Sequence, residues 1–73
     1  RLGDLLINLM HHLYAEQLFK AEVDPQSLGE ILWNNVNQMF TNFISEEGMS
    51  LEELKHALYR QTTALMALVL RQD

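Results

Sequence analysis

The segment ILWNNVNQMFTNFI, residues 31–44, decides the fold class of this 73-residue chain. Its apolar residues recur at helical spacing and gather on one side of a helical wheel, while amide and hydroxyl residues fill the other side. The apolar side consists of Leu32, Trp33, Val36, Met39, Phe40, Phe43 and Ile44. The polar side carries Asn, Gln and Thr and no Lys or Glu. Asn is a weaker helix former than Ala, by up to about 0.7 kcal/mol per residue. We therefore predict a helix whose amide face meets another subunit, another domain or a polar ligand rather than bulk water.

Local signals mark the ends of three helices. Asp24 and Pro25 suit the N-cap and the first position of a helix. Gly48 suits a left-handed helix stop, and Ser50 with Glu53 forms an S-x-x-E capping box. The sequence therefore predicts helices at about residues 3–22, 25–46 and 50–71, in an all-α antiparallel bundle. We expect residues 1–73 to be a single helical domain or a fragment of one.

The first and third helices carry more apolar surface than a three-helix bundle can bury. Helix 1 has one apolar face with Leu2, Leu5, Leu6, Leu9 and Leu13, and a second with Ile7, Met10, Tyr14, Leu18 and Ala21. Residues 64–70, ALMALVL, are apolar on every side. A chain this short buries only about 60% of its unfolded surface, so a partner commonly supports it. We predict a homodimer with a four-helix interface, a larger surrounding domain, or both. The predicted interface consists of Met39, Phe43, Leu58, Leu65, Met66 and Val69.

Composition excludes several functional classes. The net charge is −5, and the few basic residues are scattered, so we expect no direct nucleic-acid contact from this segment. No apolar run reaches the roughly 18 residues of a membrane span, and we expect no membrane partner. Cysteine is absent, which excludes disulfides and fits a reducing, cytoplasmic location. A start at Arg rather than Met is compatible with a fragment of a longer protein.

Candidate catalytic and metal-binding residues are few. His12 and Glu16 lie one helical turn apart and could reach one metal ion, but two ligands do not make a site. The serines fall where helix caps and turns favour hydroxyls, and the chain has no phosphate-binding or dinucleotide motif. We therefore predict no catalytic residue, no metal, no cofactor and no enzymatic activity.

Several large side chains could instead line an apolar pocket. Tyr14, Trp33 and Phe40 would supply its walls, with His11 and Asn37 as oriented polar groups. The alternative is core packing, which is the commoner role of aromatic residues at helical spacing. A ligand bound by these residues would be a small apolar or amphipathic effector.

Residues 24–72 resemble the closing segment of TetR-family transcriptional regulators. The resemblance is carried by DPQSLGEILWNNVNQMFTNFI, then SEEGMS, then LEELKHALYRQTTALMALVL. Residues 5–22, LLINLMHHLYAEQLFKAE, are similar to the preceding helix of that family. Two features depart from the pattern. Many relatives carry a Gly where this chain has Asn37-Gln38-Met39, and the basic helix-turn-helix that defines the family is absent from these residues.

The resemblance implies a specific function. The last two helices would pack with their mates in a symmetric four-helix dimer interface, and the earlier helices would border an effector pocket. The expectation is a non-enzymatic dimerisation and small-molecule-sensing part of a transcriptional regulator, with the DNA-binding part outside this chain. The alternative is a small stand-alone homodimeric helical adaptor, of phage, plasmid or secretion-related type, that binds a protein partner.

Overall fold

The computed structural model describes residues 1–45 and 48–72, which form three α-helices. These are α1, Leu2–Ala15, α2, Pro25–Ser45, and α3, Leu51–Val69. The predicted all-α class is confirmed. α1 and α2 run antiparallel, since Gly3 lies against Trp33 and Gly29 against Ile7. The end of α3 packs against the beginning of α2, so these two helices are antiparallel as well.

α1 ends at Ala15 rather than near residue 22, so the predicted end of helix 1 is wrong. Gln17 adopts a left-handed conformation with φ of 64°. The Gln17 N–H donates to the Tyr14 carbonyl at 2.9 Å, and the Leu18 N–H donates to the Leu13 carbonyl at 3.2 Å. This is the Schellman pattern of helix termination. Residue types alone do not signal this stop, because the left-handed position usually belongs to Gly and is here occupied by Gln.

The segment that follows α1 is held by the far end of the chain. The Lys20 N–H donates to the Val69 carbonyl at 2.9 Å, and the Arg71 N–H donates to the Leu18 carbonyl at 2.8 Å. These two bonds flank an antiparallel bridge between Phe19 and Leu70. The pairing fixes Phe19 inside the core, where its exposed fraction is only 2%.

The starts of α2 and α3 follow the sequence signals. The Asp24 carboxylate accepts from the Gln26 N–H at 3.1 Å and from the Ser27 hydroxyl at 2.7 Å. The Ser50 hydroxyl accepts from the Glu53 N–H at 3.1 Å, and the Glu53 carboxylate accepts from the Ser50 N–H at 2.8 Å. Both arrangements satisfy N–H groups that a helix start leaves without a partner. The predicted capping box of α3 is confirmed.

The core is small and lies where all three helices meet the α1–α2 loop. Its central cluster consists of Met10, Phe19, Leu28 and Leu32. Gly29 lets α1 and α2 approach closely, since a Cβ atom at this position would lie 2.6 Å from the Cα atom of Ile7. Many large apolar side chains, such as Leu5, Ile44 and Tyr59, lie outside this core and are exposed.

Candidate functional site

The most prominent candidate surface is a row of leucines on the outer side of α1. Leu2, Leu5 and Leu9 are 53%, 63% and 48% exposed. The opposite side of the same helix supplies buried Met10 and half-buried Ile7 to the interior. The side of α1 that carries Ile7 and Met10 therefore faces the interior, and Leu2, Leu5 and Leu9 remain exposed on the other side. We call Leu2, Leu5 and Leu9 the leucine row.

The leucine row has polar groups of opposite charge at its two ends. Arg1 directly precedes it, and Glu16, the C-cap residue of α1, follows it. Leu2, Leu9 and Glu16 are spaced by seven residues, so they lie nearly in line along the helix. The row is therefore an apolar stripe with a basic start and an acidic end.

A second apolar surface lies where α2 extends beyond α1. α2 has 21 residues and α1 has 14, and Gly3 near the start of α1 already lies against Trp33. About the last three turns of α2, roughly 16 Å, consequently continue past the start of α1. Phe40 and Ile44 lie there and are 43% and 82% exposed. We call these two residues the bare end of α2.

The amide face of α2 is partly satisfied by the chain itself. Asn35 donates from Nδ2 to Oε1 of Gln61 on α3 at 2.8 Å. Gln38 donates from Nε2 to Oδ1 of Asn42, one turn further along α2, at 2.9 Å. Asn35 therefore meets a helix of the same chain, whereas Asn34 is exposed. Contact of this face with another subunit, another domain or a ligand stays a prediction.

The five predicted ligand-binding residues are spread along the bundle. The Tyr14 hydroxyl donates to the Ala21 carbonyl at 2.7 Å, and His11 Nε2 lies 3.4 Å from Oε1 of Gln26. Trp33 lies at the other end of α1, and Asn37 and Phe40 are exposed further along α2. The structure does not bring the five into one cavity.

Two shallow depressions lie on opposite sides of the Gly29–Ile7 crossing. Tyr14 lines one of them with Phe19 and Lys20, and Trp33 lines the other with Leu2 and Gly3. A compact ligand could therefore contact Tyr14 or Trp33, but not both at once.

The six predicted interface residues face the interior of the chain to different degrees. Met39 is only 7% exposed, so the chain already covers it, and we correct it to a core residue. The other five, Phe43, Leu58, Leu65, Met66 and Val69, are half-buried. Three of these, Leu65, Met66 and Val69, pack against the central cluster. Other large apolar side chains are more exposed, among them Leu2, Leu5 and Leu9, which belong to the first of the two apolar faces that the sequence predicts for α1.

Within residues 1–45 and 48–72, no group of three or more His, Asp or Glu side chains could hold a metal ion. The Asp24 carboxyl has a lowered pKa, chiefly because the Ser27 hydroxyl donates to its charged form. This carboxylate serves the start of α2. No helix in the described residues is both long and apolar enough to cross a membrane.

Comparison with protein-family models, with curated proteins and with solved structures gives no match to this chain. The likeness to TetR-family regulators therefore rests on the residue pattern alone.

Proposed function

We propose that this chain is the dimerising and effector-sensing part of a transcriptional regulator, without enzymatic activity. The observation that carries the proposal is the amount of apolar side chain left uncovered. Twelve large hydrophobic residues are exposed in the described chain, among them the leucine row, the bare end of α2, Leu51 and Tyr59. Extended apolar patches on soluble proteins mark interaction sites.

The energetics favour burial of this surface against a partner. Full burial of a Leu side chain is worth about 1.5–3 kcal/mol, so covering each half-exposed leucine of the row gains about 1 kcal/mol. In a symmetric dimer the two rows together then gain about 6 kcal/mol. Association costs on the order of 4–15 kcal/mol. A stable dimer must therefore cover the leucine row together with neighbouring side chains.

The charge of the chain supports a regulator in which DNA binding and dimerisation belong to different parts of the polypeptide. With a net charge of −5 and scattered basic residues, this segment is poorly suited to hold DNA phosphates. DNA reading would belong to a basic part outside the chain. The present residues would supply the symmetry that a two-fold operator requires.

An effector could act through the close crossing of α1 and α2. Gly29 and Ile7 form this crossing, and the depressions beside Tyr14 and Trp33 lie on opposite sides of it. A small apolar or amphipathic molecule wedged at either depression would tilt α1 about the crossing. Because α1 carries the leucine row, the tilt would reach the second subunit.

Concentration-dependent melting tests the dimerisation proposal. If folding is linked to association, the melting temperature rises with protein concentration. We expect a steady rise in the circular dichroism midpoint between about 2 and 200 µM. A midpoint that is constant across this hundredfold range would refute the proposal.

Fluorescence titration tests the sensing proposal separately. Trp33 is the sole tryptophan and lies against Gly3 of α1, so its emission reports on a tilt of α1. We expect saturable binding of the amphipathic probe 8-anilinonaphthalene-1-sulfonate with a change in Trp33 emission. Unchanged emission during saturable binding would contradict the proposed tilt. Absence of saturable binding would contradict the sensing role for an amphipathic ligand of this kind.

The bare end of α2 favours one alternative, a helical adaptor that receives an amphipathic helix from a partner protein. Phe40 and Ile44 lie on the same face of α2 that α1 covers at Gly29 and Trp33. A partner helix could therefore bind this exposed face in the way that α1 does, as in helix-in-groove recognition. The native open reading frame discriminates between the two functions. A basic helix-turn-helix segment upstream of Arg1 supports the regulator, and an initiator Met directly before Arg1 supports the adaptor.

A further inference from the structure

We propose that two copies of this chain associate through antiparallel pairing of their α1 helices along the leucine row. This inference rests on the proposed dimerisation and names the surface responsible for it. The surface differs from the six half-buried or buried residues that the sequence pattern predicted for the interface.

The spacing on the outer side of α1 is that of a short coiled-coil seam. Leu2, Leu5, Leu9, His12 and Glu16 follow one another at alternating intervals of three and four residues. This alternation keeps one line of side chains directed at a partner helix. All five residues are exposed, so the seam is available without unfolding any part of the core.

Half-buried neighbours widen the seam. Leu6 and Leu13 each contact the edge of the central core and are still partly open to solvent. A second α1 helix on the leucine row would cover their remaining exposed area. The interface then extends beyond the three leucines, as the cost of association demands.

The charges at the two ends select the antiparallel orientation. In a parallel pair, Arg1 would lie beside Arg1 of the second copy and Glu16 beside Glu16, which brings like charges together. In an antiparallel pair, each Arg1 lies near Glu16 of the second copy. Complementary charges at the rim set orientation more than they add affinity.

The same orientation gives a consistent register. With Leu5 opposite Leu9 of the second copy, Leu2 lies opposite His12. Arg1 and Glu16 are then offset by about three residues, or roughly 4.5 Å along the helix axis. The flexible side chains of Arg and Glu can span this offset, so leucine packing and charge pairing are satisfied together.

The first test replaces one leucine of the row with a charged residue. Leu5→Glu should weaken dimerisation by on the order of 100-fold, because each dimer loses two buried leucines and gains two facing carboxylates. The matched control is Leu68→Glu on α3, which changes a side chain of similar exposure, 69% against 63%. We expect this control to leave the dissociation constant from sedimentation equilibrium within about threefold of the parent value, as for independent sites.

The second test measures orientation by disulfide trapping. The chain has no cysteine, so Leu2→Cys and His12→Cys variants carry a single thiol each. In the proposed register these positions face each other, whereas two copies of either position lie about 15 Å apart along the axis. A disulfide needs Cα atoms within about 7 Å. We therefore expect mixed Leu2→Cys and His12→Cys samples to form the heterotypic disulfide and each variant alone to form little.

The outcomes separate this inference from the proposed function. A monomeric parent chain would overturn both. A dimeric parent that Leu5→Glu leaves intact, or that Leu5→Glu and Leu68→Glu weaken equally, would overturn only the α1 pairing. Homotypic disulfides in place of heterotypic ones would overturn the antiparallel orientation. Circular dichroism of Leu5→Glu checks that the helices persist, and the trapping result stands independently of that variant.

Discussion

Replacing Gly29 with alanine probes the closest approach between α1 and α2. A Cβ atom at position 29 would lie 2.6 Å from Cα, 2.8 Å from Cγ1 and 3.1 Å from N of Ile7. Carbon atoms in favourable contact lie about 3.5–4.0 Å apart. Since the nearest atom belongs to the backbone, a rotamer change of Ile7 cannot relieve the overlap. We expect α1 to move away from α2 by about 1 Å, which loosens the packing of Met10 and Leu28.

Two effects of opposite sign determine how much Gly29→Ala changes the free energy of unfolding. Alanine is favoured over glycine inside a helix by about 1 kcal/mol. Overpacking a core costs about 1–3 kcal/mol, and occasionally more. A clash with backbone belongs at the upper end of this range, and the widened gap forfeits dispersion energy in addition. We expect Gly29→Ala to lower the free energy of unfolding by about 2 kcal/mol, which for this size corresponds to roughly 10 °C in melting temperature.

Urea unfolding followed by circular dichroism measures this change, at one fixed protein concentration because association contributes to stability. Asn34→Ala is the matched control, since Asn34 is exposed on the same helix and should gain up to about 0.7 kcal/mol. The double variant Ile7→Ala with Gly29→Ala should recover little stability, because the overlap with the α1 backbone persists whatever side chain position 7 carries. A Gly29→Ala chain as stable as the parent would refute the close crossing.

Four further substitutions test the residues that end α1 and begin α2 and α3. Gln17→Gly should raise the free energy of unfolding by about 0.5–1 kcal/mol in urea titrations, because φ of 64° strains a residue with a Cβ atom. Gln17→Ala, which keeps the strain, should show no such gain. Asp24 should titrate by NMR below its ordinary pKa of 3.8, and Ser27→Ala should move the midpoint upward. Since the folded pKa is lower than the unfolded one, the carboxylate contributes stability above about pH 3.8 that is lost as pH falls through the folded value. Ser50→Ala should cost about 1 kcal/mol in thermal melts, and no loss would contradict the capping box.

The parts of the fold that depend on local chemistry could be predicted from the sequence. The Asp24-Pro25 pair places the start of α2, and the Ser50 and Glu53 pair places the start of α3. In both cases the side chains bond to backbone within three residues, so neighbouring residues carry the information. Gly48 likewise has a positive φ of 95°, which few other residues tolerate.

The end of α1 and the burial of Phe19 could not be predicted in this way. Gln17 provides the left-handed stop without the glycine that usually signals it. Phe19 is held in place because its neighbours Leu18 and Lys20 hydrogen-bond to residues about fifty positions later, at the end of α3. Such a pairing depends on tertiary structure, and the helical spacing of Leu18 and Ala21 favours continuing the helix instead.

The candidate surface was only partly evident from the sequence. The two apolar faces of α1 were clear from periodicity, but periodicity does not reveal which face α2 covers. In the structure Gly29 brings Ile7 close to α2, and the leucine row remains exposed. The sequence pattern predicts that half-buried residues of α3 contact a second chain. Three of them, Leu65, Met66 and Val69, also pack against the central cluster of their own chain.

Sedimentation equilibrium of the parent chain tests the central claim most directly, because it measures mass without a label or a ligand. The exposed apolar side chains predict a folded species of twice the 8.5 kDa chain mass at micromolar concentration. Dissociation should appear only on dilution or on introduction of Leu5→Glu. A well-folded species of 8.5 kDa throughout the micromolar range would contradict the claim that a second copy covers this surface.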